Sequence, residues 1–325
     1  MKVVILGAGA WGTTMAIHLA RQGHDVWLWS RDADRAATMQ KDRENERYLP
    51  SFRFPDSITV AADLPPHEVD FIAGAVPTQH MRGVVTALAG RLPRVPFVSL
   101  AKGIEIGTGK LPTEVYQEAV GAPVDTAVLT GPCIAKEVAR GMPTAVVIAG
   151  ERAEMLQLAF NDDRFRVYTS EDRVGAELAA ALKNVLGIAA GIVDGMELGD
   201  NTKAALLTRG IVELTRLGVA LGANALTFTG LAGFGDLFTT CVSPLGRNRG
   251  VGERIGQGDT VEEILESMTS VAEGVPTTRA VVALAKDKGV EMPIADALFK
   301  VLFEDVEVAV ALGGLMTRDK RPEYA

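Results

Sequence analysis

The chain has 325 residues, 47% of them hydrophobic, which is enough to bury a large core and suggests about two domains. Its formal net charge of −8 argues against nucleic acid as the main partner, so an anionic ligand must be held by a local group of cations. The two cysteines make no disulfide framework, and we expect neither a signal peptide nor membrane insertion, which favours a cytoplasmic protein.

The chain begins with a predicted buried strand over residues 2–6, a glycine-rich turn and a helix. Gly7, Gly9 and Gly12 form a GxGxxG pattern, and its position between a strand and a helix makes it a dinucleotide fingerprint. The first glycine permits the tight turn, the second lets a pyrophosphate approach the backbone, and the third lets helix and strand pack closely. The pattern therefore predicts a dinucleotide whose phosphates lie at the helix N-terminus.

A second strand is predicted over residues 25–30, and the residues at its end bear on the choice of cofactor. An acidic residue here usually binds the ribose 2′-hydroxyl of NADH, whereas an arginine accommodates the 2′-phosphate of NADPH. Arg31 is the better placed of the two, so NADPH is favoured, while Asp32 leaves NADH open. The charged segment 38–56 is predicted to be a mobile surface excursion.

Further strands are predicted at 58–61, 70–76, 96–101, 126–130, 144–149 and 165–169. Ligands of open α/β sheets bind beyond the carboxyl ends of the strands. The residues that fall there are Gly7, Arg31, Pro77, Lys102 and Gly131. Lys102 follows an apolar strand and precedes a glycine, which predicts a role where cofactor and substrate meet. A helix start near Ala135 is expected to turn its N–H groups toward a ligand.

Beyond about residue 172 the period of the apolar residues changes from two to 3.6, and helices are predicted at 172–193, 201–222, 246–256, 261–267, 276–289 and 294–312. The fold class is therefore α/β. We expect an N-terminal Rossmann-type domain with a mostly parallel sheet over residues 1–171, and a C-terminal all-helical, substrate-binding domain over residues 172–325. A small-molecule site is expected in the crevice between them.

In segment 178–193 only Lys183 and Asn184 are polar. We expect this run to be too short and too charged to span a bilayer, and to form a helix inside a globular domain. Lys183 shares a face with small side chains, which leaves room beside its amine for another helix or a ligand. Loss of hydration would lower the pKa of this lysine toward the range in which it exchanges protons. The alternative is a lysine whose amine reaches water near a helix end.

Two glycine-containing segments of this half are expected to bind ligands. In 230–236 the backbone can bend around Asp236, which either caps a helix beginning at Leu237 or, as we favour, holds a lysine ammonium or a substrate hydroxyl. Segment 246–250 places Gly246, Arg247 and Asn248 at an expected helix start, where a guanidinium and free N–H groups suit phosphate.

These features together suggest the reduction of a ketone on a small phosphorylated substrate. A nicotinamide would deliver hydride to the carbonyl carbon, Lys183 would give its proton to the developing alkoxide, and Lys102 would add positive charge there.

The chain resembles the bacterial NAD(P)-dependent glycerol-3-phosphate dehydrogenases over essentially its full length. The resemblance is carried by GAGAWGT at 7–13, WSR at 29–31, AKG at 101–103, GPCIAKEVARG at 131–141, ALKNVLGIAAG at 181–191, GLAGFGDL at 230–237, GRNR at 246–249 and AEGVPT at 272–277. It implies reversible reduction of dihydroxyacetone phosphate to sn-glycerol 3-phosphate, which feeds phospholipid synthesis in the cytoplasm, and it implies a homodimer.

The resemblance also implies roles for single residues. Lys183 would be the proton acceptor. The substrate would be surrounded by Lys102, Gly131, Asp236, Arg247 and Asn248. The cofactor contacts would include Trp11, Arg31, Ala135, Arg247, Val271 and Glu273, beside the glycine turn and Lys102.

The chain departs from the family pattern where Ala10, Cys133 and Gly246 replace serines. Ala10 removes one possible donor to the pyrophosphate, and the other two remove hydroxyls from the expected substrate pocket. Each lost hydrogen bond is worth about 0.5–1.5 kcal/mol, and more toward a charged group, so we expect weaker substrate affinity before lost activity.

Two other functions remain open at this point. A dehydrogenase of a small 3-hydroxy acid would bind a carboxylate at the GRNR segment. A non-catalytic NADPH-binding redox sensor would need the glycine fingerprint but not a buried lysine, an aspartate and a cation cluster together.

Overall fold

The computed structural model describes residues 1–268, 271–320 and 322–323. The strands are β1 (Lys2–Leu6), β2 (Asp25–Trp29), β3 (Glu44–Asn45), β4 (Leu49–Arg53), β5 (Ile58–Ala61), β6 (Phe71–Gly74), β7 (Phe97–Ser99), β8 (Thr126–Thr130), β9 (Thr144–Gly150) and β10 (Phe165–Ser170). The α-helices are α1 (Ala10–Arg21), α2 (Ala33–Asp42), α3 (Thr78–Leu88), α4 (Pro112–Val120), α5 (Ala135–Ala139), α6 (Ala153–Phe160), α7 (Arg173–Gly195), α8 (Gly199–Ala220), α9 (Asp236–Val242), α10 (Arg247–Gly256), α11 (Val261–Ser267), α12 (Gly274–Lys288), α13 (Pro293–Phe303) and α14 (Val308–Met316). A 3₁₀ segment, Ala225–Thr229, and a π-helical turn, Leu231–Gly235, precede α9.

Eight strands form one sheet in the order β10-β9-β8-β7-β6-β1-β2-β5. Strands β5 to β8 of this sheet run parallel to β1 and β2, whereas β9 is antiparallel to β8 and pairs in parallel with β10. β1 lies between β2 and β6, so Val3 faces Val26 on one side and Phe71 on the other. The predicted Rossmann-type, mostly parallel sheet and the helical C-terminal half are confirmed.

Segment 38–56 is the first place where the sequence-based prediction was wrong. Instead of a mobile excursion, it contains the end of α2 and a hairpin of β3 and β4. The side chain of Asn45 is 1% exposed and donates to the Ala8 carbonyl at 3.0 Å and to the Thr13 hydroxyl at 2.8 Å. One buried amide thus fixes the hairpin to the glycine-rich turn, which composition alone does not reveal.

The central element of the C-terminal half is α7, which packs against α8, α9, α10 and α12. At the glycine seam between α7 and α10, the backbones of the two helices are in direct contact at glycines. A Cβ added at Gly191 would lie 2.0 Å from the Arg249 carbonyl oxygen, and one at Gly252 would lie 1.9 Å from that of Ile188. On the face of α7 that carries Lys183, a Cβ at Gly187 would meet side chains of Thr240 in α9 and Asn248 in α10, so other helices pack there.

The expectation that this apolar run is too short and too charged to span a bilayer was wrong, because α7 has 23 residues and is long and apolar enough by length and composition alone. Within its most apolar 18-residue window, 94% is buried inside the protein. The helix is therefore accounted for as the core of the C-terminal half.

The single helix predicted over 294–312 was also wrong. α13 ends at Phe303 and α14 begins at Val308. Asp305 between them has φ of +53°, which no continuing helix allows. Three of the four residues at 304–307 are acidic, and negative charge at a helix C-terminus opposes the helix dipole.

Candidate active site

Lys183 lies in the middle of α7 with its side chain 7% exposed. Its Nζ donates to Asp236 Oδ1 at 2.6 Å and to the hydroxyl of Thr240. Burial lowers the pKa of Lys183, and the positive charge of Lys102 lowers it further, although the Asp236 carboxylate opposes both effects. The amine is therefore withdrawn from water but held in a polar setting, and it does not reach bulk solvent as the alternative supposed.

Asp236 is the first residue of α9, and its side chain is 3% exposed. It does not cap a helix starting at Leu237. The π-helical turn Leu231–Gly235 continues directly into α9, and the carboxylate of Asp236 accepts hydrogen bonds from the two lysines instead. Thr130 at the end of β8 donates to Oδ2 at 3.3 Å. The Asp236 carboxylate therefore contacts both halves of the chain, Thr130 of the sheet half and Lys183 of the helical half.

Lys102 follows β7 and approaches the same carboxylate from the sheet side. Its Nζ lies 2.6 Å from Asp236 Oδ2, 3.2 Å from the Gly131 carbonyl oxygen and 3.4 Å from Cys133 Sγ. Burial works to lower the pKa of Lys102, but the charge of Asp236 and the interactions with Cys133 together outweigh it, and the pKa is raised. One carboxylate thus holds two lysines whose pKa values shift in opposite directions.

A chain of hydrogen-bonded amide groups holds the backbone of Lys102 in place. Asn184 Nδ2 donates to the Lys102 carbonyl at 2.9 Å, and Asn248 Nδ2 donates to Asn184 Oδ1 at 2.9 Å. The N–H of Gly274, at the start of α12, donates to Asn248 Oδ1 at 3.0 Å. The position of Lys102 therefore depends on α7, α10 and α12 as well as on its own strand.

The glycine turn after β1 fits a dinucleotide. A Cβ at Gly12 would lie 2.0 Å from the Gly7 carbonyl oxygen, so this contact requires glycine. The space beside Gly9 is open: apart from its chain neighbours, no atom of the described residues would lie within 4 Å of a Cβ there. Beside them, the buried Nε1 of Trp11 has no hydrogen-bond partner in the described part of the chain. Open space at the second glycine and an unused donor next to it are what a bound pyrophosphate or nicotinamide ribose would use.

Comparison with known proteins gives the family of both halves of the chain. Family models for the N-terminus and the C-terminus of NAD-dependent glycerol-3-phosphate dehydrogenase match residues 2–156 and 172–313. This chain belongs to that family. The glycerol-3-phosphate dehydrogenase [NAD(P)+] of Chlorobium luteolum is 46% identical over 335 residues, covering 99% of both chains.

Solved structures of the family have the same fold. The glycerol-3-phosphate dehydrogenase of Coxiella burnetii is 38% identical, with a TM-score of 0.93 over 98% of this chain and 99% of its own. The yeast glycerol-3-phosphate dehydrogenase is 25% identical, with a TM-score of 0.83 over 96% of this chain and 98% of its own.

The other residues expected from the glycerol-3-phosphate dehydrogenase pattern have contacts of their own in the structure. Gly246 precedes α10 and Arg247 begins it, with Arg247 Nη1 donating to the Val271 carbonyl at 2.9 Å. Glu273 reaches the sheet half, where Oε1 accepts from the N–H of Thr78 at 3.0 Å. Burial raises the pKa of Glu273.

At the nucleotide end, Ala10 is the first residue of α1 and Ala135 the first of α5. The two helices are tied by Thr14, whose hydroxyl donates to the Ala135 carbonyl at 3.2 Å. Arg31 is exposed just after β2, and Asp32 caps α2 by accepting from the N–H of Arg35 at 3.0 Å.

Several partners in the site were missed by sequence reasoning, namely Thr78, Thr130, Asn184 and Thr240. Asn184 gave a usable signal, because it is the second polar residue in an otherwise apolar helix. The threonines gave none, since their roles arise from contacts between elements that are far apart in sequence.

Proposed function

We propose that this protein interconverts dihydroxyacetone phosphate and sn-glycerol 3-phosphate with NADPH or NADH. The observation that carries the proposal is the pair of lysines on one carboxylate, because opposite pKa shifts separate their roles. Lys102 keeps its charge at neutral pH. Lys183, whose pKa is lowered, is the better suited of the two lysines to give up and regain a proton.

The bound nicotinamide supplies or accepts the hydride. Lys183 gives a proton to the oxygen of the reduced carbonyl, and in the other direction its neutral amine takes the hydroxyl proton. Lys102 stabilises the negative charge that develops on this oxygen. Asp236 orients both amines, and the hydroxyl of Thr240 fixes the second hydrogen bond of Lys183.

The substrate phosphate is proposed to bind at the start of α10, between Arg247, Asn248 and the backbone of Gly246, with Gly131 and Cys133 on the sheet side. The first N–H groups of a ten-residue helix and a guanidinium support this placement. A Cβ at Gly246 would lie 2.9 Å from the Thr240 carbonyl oxygen. In this chain a serine at position 246 would therefore crowd the backbone at Thr240.

For the cofactor, the proposed contacts are Gly7, Gly9, Ala10, Trp11, Gly12, Arg31, Lys102, Ala135, Arg247, Val271 and Glu273. NADPH is favoured because Arg31 is exposed after β2, whereas Asp32 is engaged as a helix cap.

The cellular setting is also a proposal. Family membership supports a cytoplasmic homodimer that supplies glycerol 3-phosphate for phospholipid synthesis. Residues 1–171 would be the dinucleotide-binding domain, and residues 172–325 the substrate-binding domain.

The decisive test follows NADPH absorbance with dihydroxyacetone phosphate, with a small keto acid, and with no acceptor. We expect NADPH to be oxidised with dihydroxyacetone phosphate, and neither with the keto acid nor without an acceptor. Turnover only with the keto acid would favour the 3-hydroxy acid dehydrogenase, and binding without turnover on any acceptor would favour the redox sensor.

A further inference from the structure

The hairpin of β3 and β4 brings two residues to the nucleotide edge of the sheet that no family motif above includes. Asn45 fixes the hairpin to the glycine turn through Ala8 and Thr13. Its Oδ1 also accepts from the N–H of Tyr48 at 3.4 Å. Arg47 and Tyr48 therefore lie on a segment that is attached to the pyrophosphate-binding loop.

Two guanidinium groups stack on the ring of Tyr48. The Cζ atom of Arg35 lies 4.9 Å from the ring centroid and that of Arg47 lies 5.3 Å from it. Arg35 comes from α2 and Arg47 from the hairpin, so the ring joins cations from two different elements. Stacking uses the face of a guanidinium and leaves the N–H groups along its edge free to donate.

The nearby carboxylates of Asp32 and Glu44 are already engaged. Asp32 Oδ1 accepts from the N–H of Arg35, and Glu44 Oε1 accepts from the N–H of Ser51 at 2.7 Å. A ribose 2′-hydroxyl would share the Asp32 carboxylate with the α2 cap. A 2′-phosphate, in contrast, needs the forked donors that arginines provide.

We propose that Arg35 and Arg47, held on the ring of Tyr48, complete with Arg31 a site for the 2′-phosphate of the adenosine ribose. Arg31 follows β2, Arg35 lies in the first turn of α2, and Arg47 is joined to Arg35 through the ring of Tyr48. The adenosine ribose of a Rossmann-bound dinucleotide lies at this end of β2. The inference rests on the proposed function only in that a dinucleotide binds at the glycine turn. It names the residues that select NADPH over NADH.

The test uses adenosine 2′,5′-bisphosphate and 5′-AMP as probes, measured by calorimetric titration without substrate or turnover. The full-length protein is expected to bind the bisphosphate at least about tenfold more tightly than 5′-AMP, because hydrogen bonds to a charged group are worth that much or more. Arg35→Ala and Arg47→Ala should each reduce this ratio by about tenfold while leaving the affinity for 5′-AMP unchanged.

Three further variants separate local recognition from overall charge. Arg53→Ala removes an exposed arginine from the same hairpin and should leave both affinities unchanged. Tyr48→Phe keeps the stacking ring and should keep the ratio, whereas Tyr48→Leu should lower it.

The proposal is overturned if the wild type does not discriminate between the two probes, if Arg35→Ala weakens both equally, or if Arg53→Ala has the same effect as Arg35→Ala. None of these results bears on dihydroxyacetone phosphate reduction with NADH, which is measured separately. Failure of that activity would refute the proposed function and leave the probe ratio standing.

Discussion

Replacing Lys183 with methionine removes the buried amine and keeps an unbranched side chain of similar length. General acid–base groups typically contribute about 10²–10⁴-fold to a rate, so kcat for ketone reduction should fall by that factor, or about 3–5 kcal/mol of activation free energy. The fold should survive, because Asp236 keeps its hydrogen bonds from Lys102 and Thr130.

The assay is NADPH absorbance at saturating dihydroxyacetone phosphate across pH, together with NADPH affinity from calorimetry. The affinity should stay within about twofold of wild type, since the amine contributes to the chemical step and not to holding the dinucleotide. Lys110→Met is the matched control, because this lysine is half-exposed and pairs with Glu118, and it should retain full activity. A Lys183→Met protein with wild-type kcat would refute the assignment of the proton to this amine.

Three other predictions concern Lys102, Asn45 and Glu213. The charge of Lys102 helps to lower the pKa of Lys183, so Lys102→Met should raise that pKa. Glycerol 3-phosphate oxidation needs the neutral amine, so its rise with pH should move to higher pH, and an unmoved pH–rate profile would contradict the coupling. Asn45→Ala removes two buried hydrogen bonds. It should lower the free energy of unfolding, measured in urea, by about 1–3 kcal/mol, and it should also weaken NADPH binding. Wild-type stability together with wild-type NADPH affinity would argue against an anchoring role. Burial raises the pKa of Glu213 to about 7, despite the opposing N–H donors of α13, so the folded protein keeps a proton that the unfolded chain loses above about pH 4.5. Stability should therefore fall by up to about 3 kcal/mol between pH 4.5 and 7 in the wild type relative to Glu213→Gln, as measured by urea unfolding at each pH; parallel curves would refute it.

The parts of the fold that were predicted correctly are those specified by local patterns. The turn with Gly7 and Gly12 was recognisable from the spacing of its glycines, although the close contacts at Gly7 are with Ala75 of a distant segment. The buried strands were recognisable as short apolar runs. Lys183 was also recognisable, because a charged residue in a run of alanines and glycines needs a partner.

The parts that sequence reasoning missed depend on contacts between distant elements. Asn45 is one polar residue among many in a charged segment, and only its burial against the glycine turn distinguishes it. The π-helical turn that delivers Asp236 is specified by packing against α7 and β9. The break after Phe303 follows from a left-handed residue, Asp305, that no apolar period encodes.

The glycine seam between α7 and α10 limits how this enzyme can diversify. Backbone meets backbone there, so no side chain at the contact can change rotamer to absorb a larger neighbour. Any residue with a Cβ at Gly191 or Gly252 would force the helices apart and carry the amine of Lys183 away from its carboxylate. The place of the Lys183 amine is therefore set by a contact between two backbones, and no change of side-chain packing at this contact can adjust it.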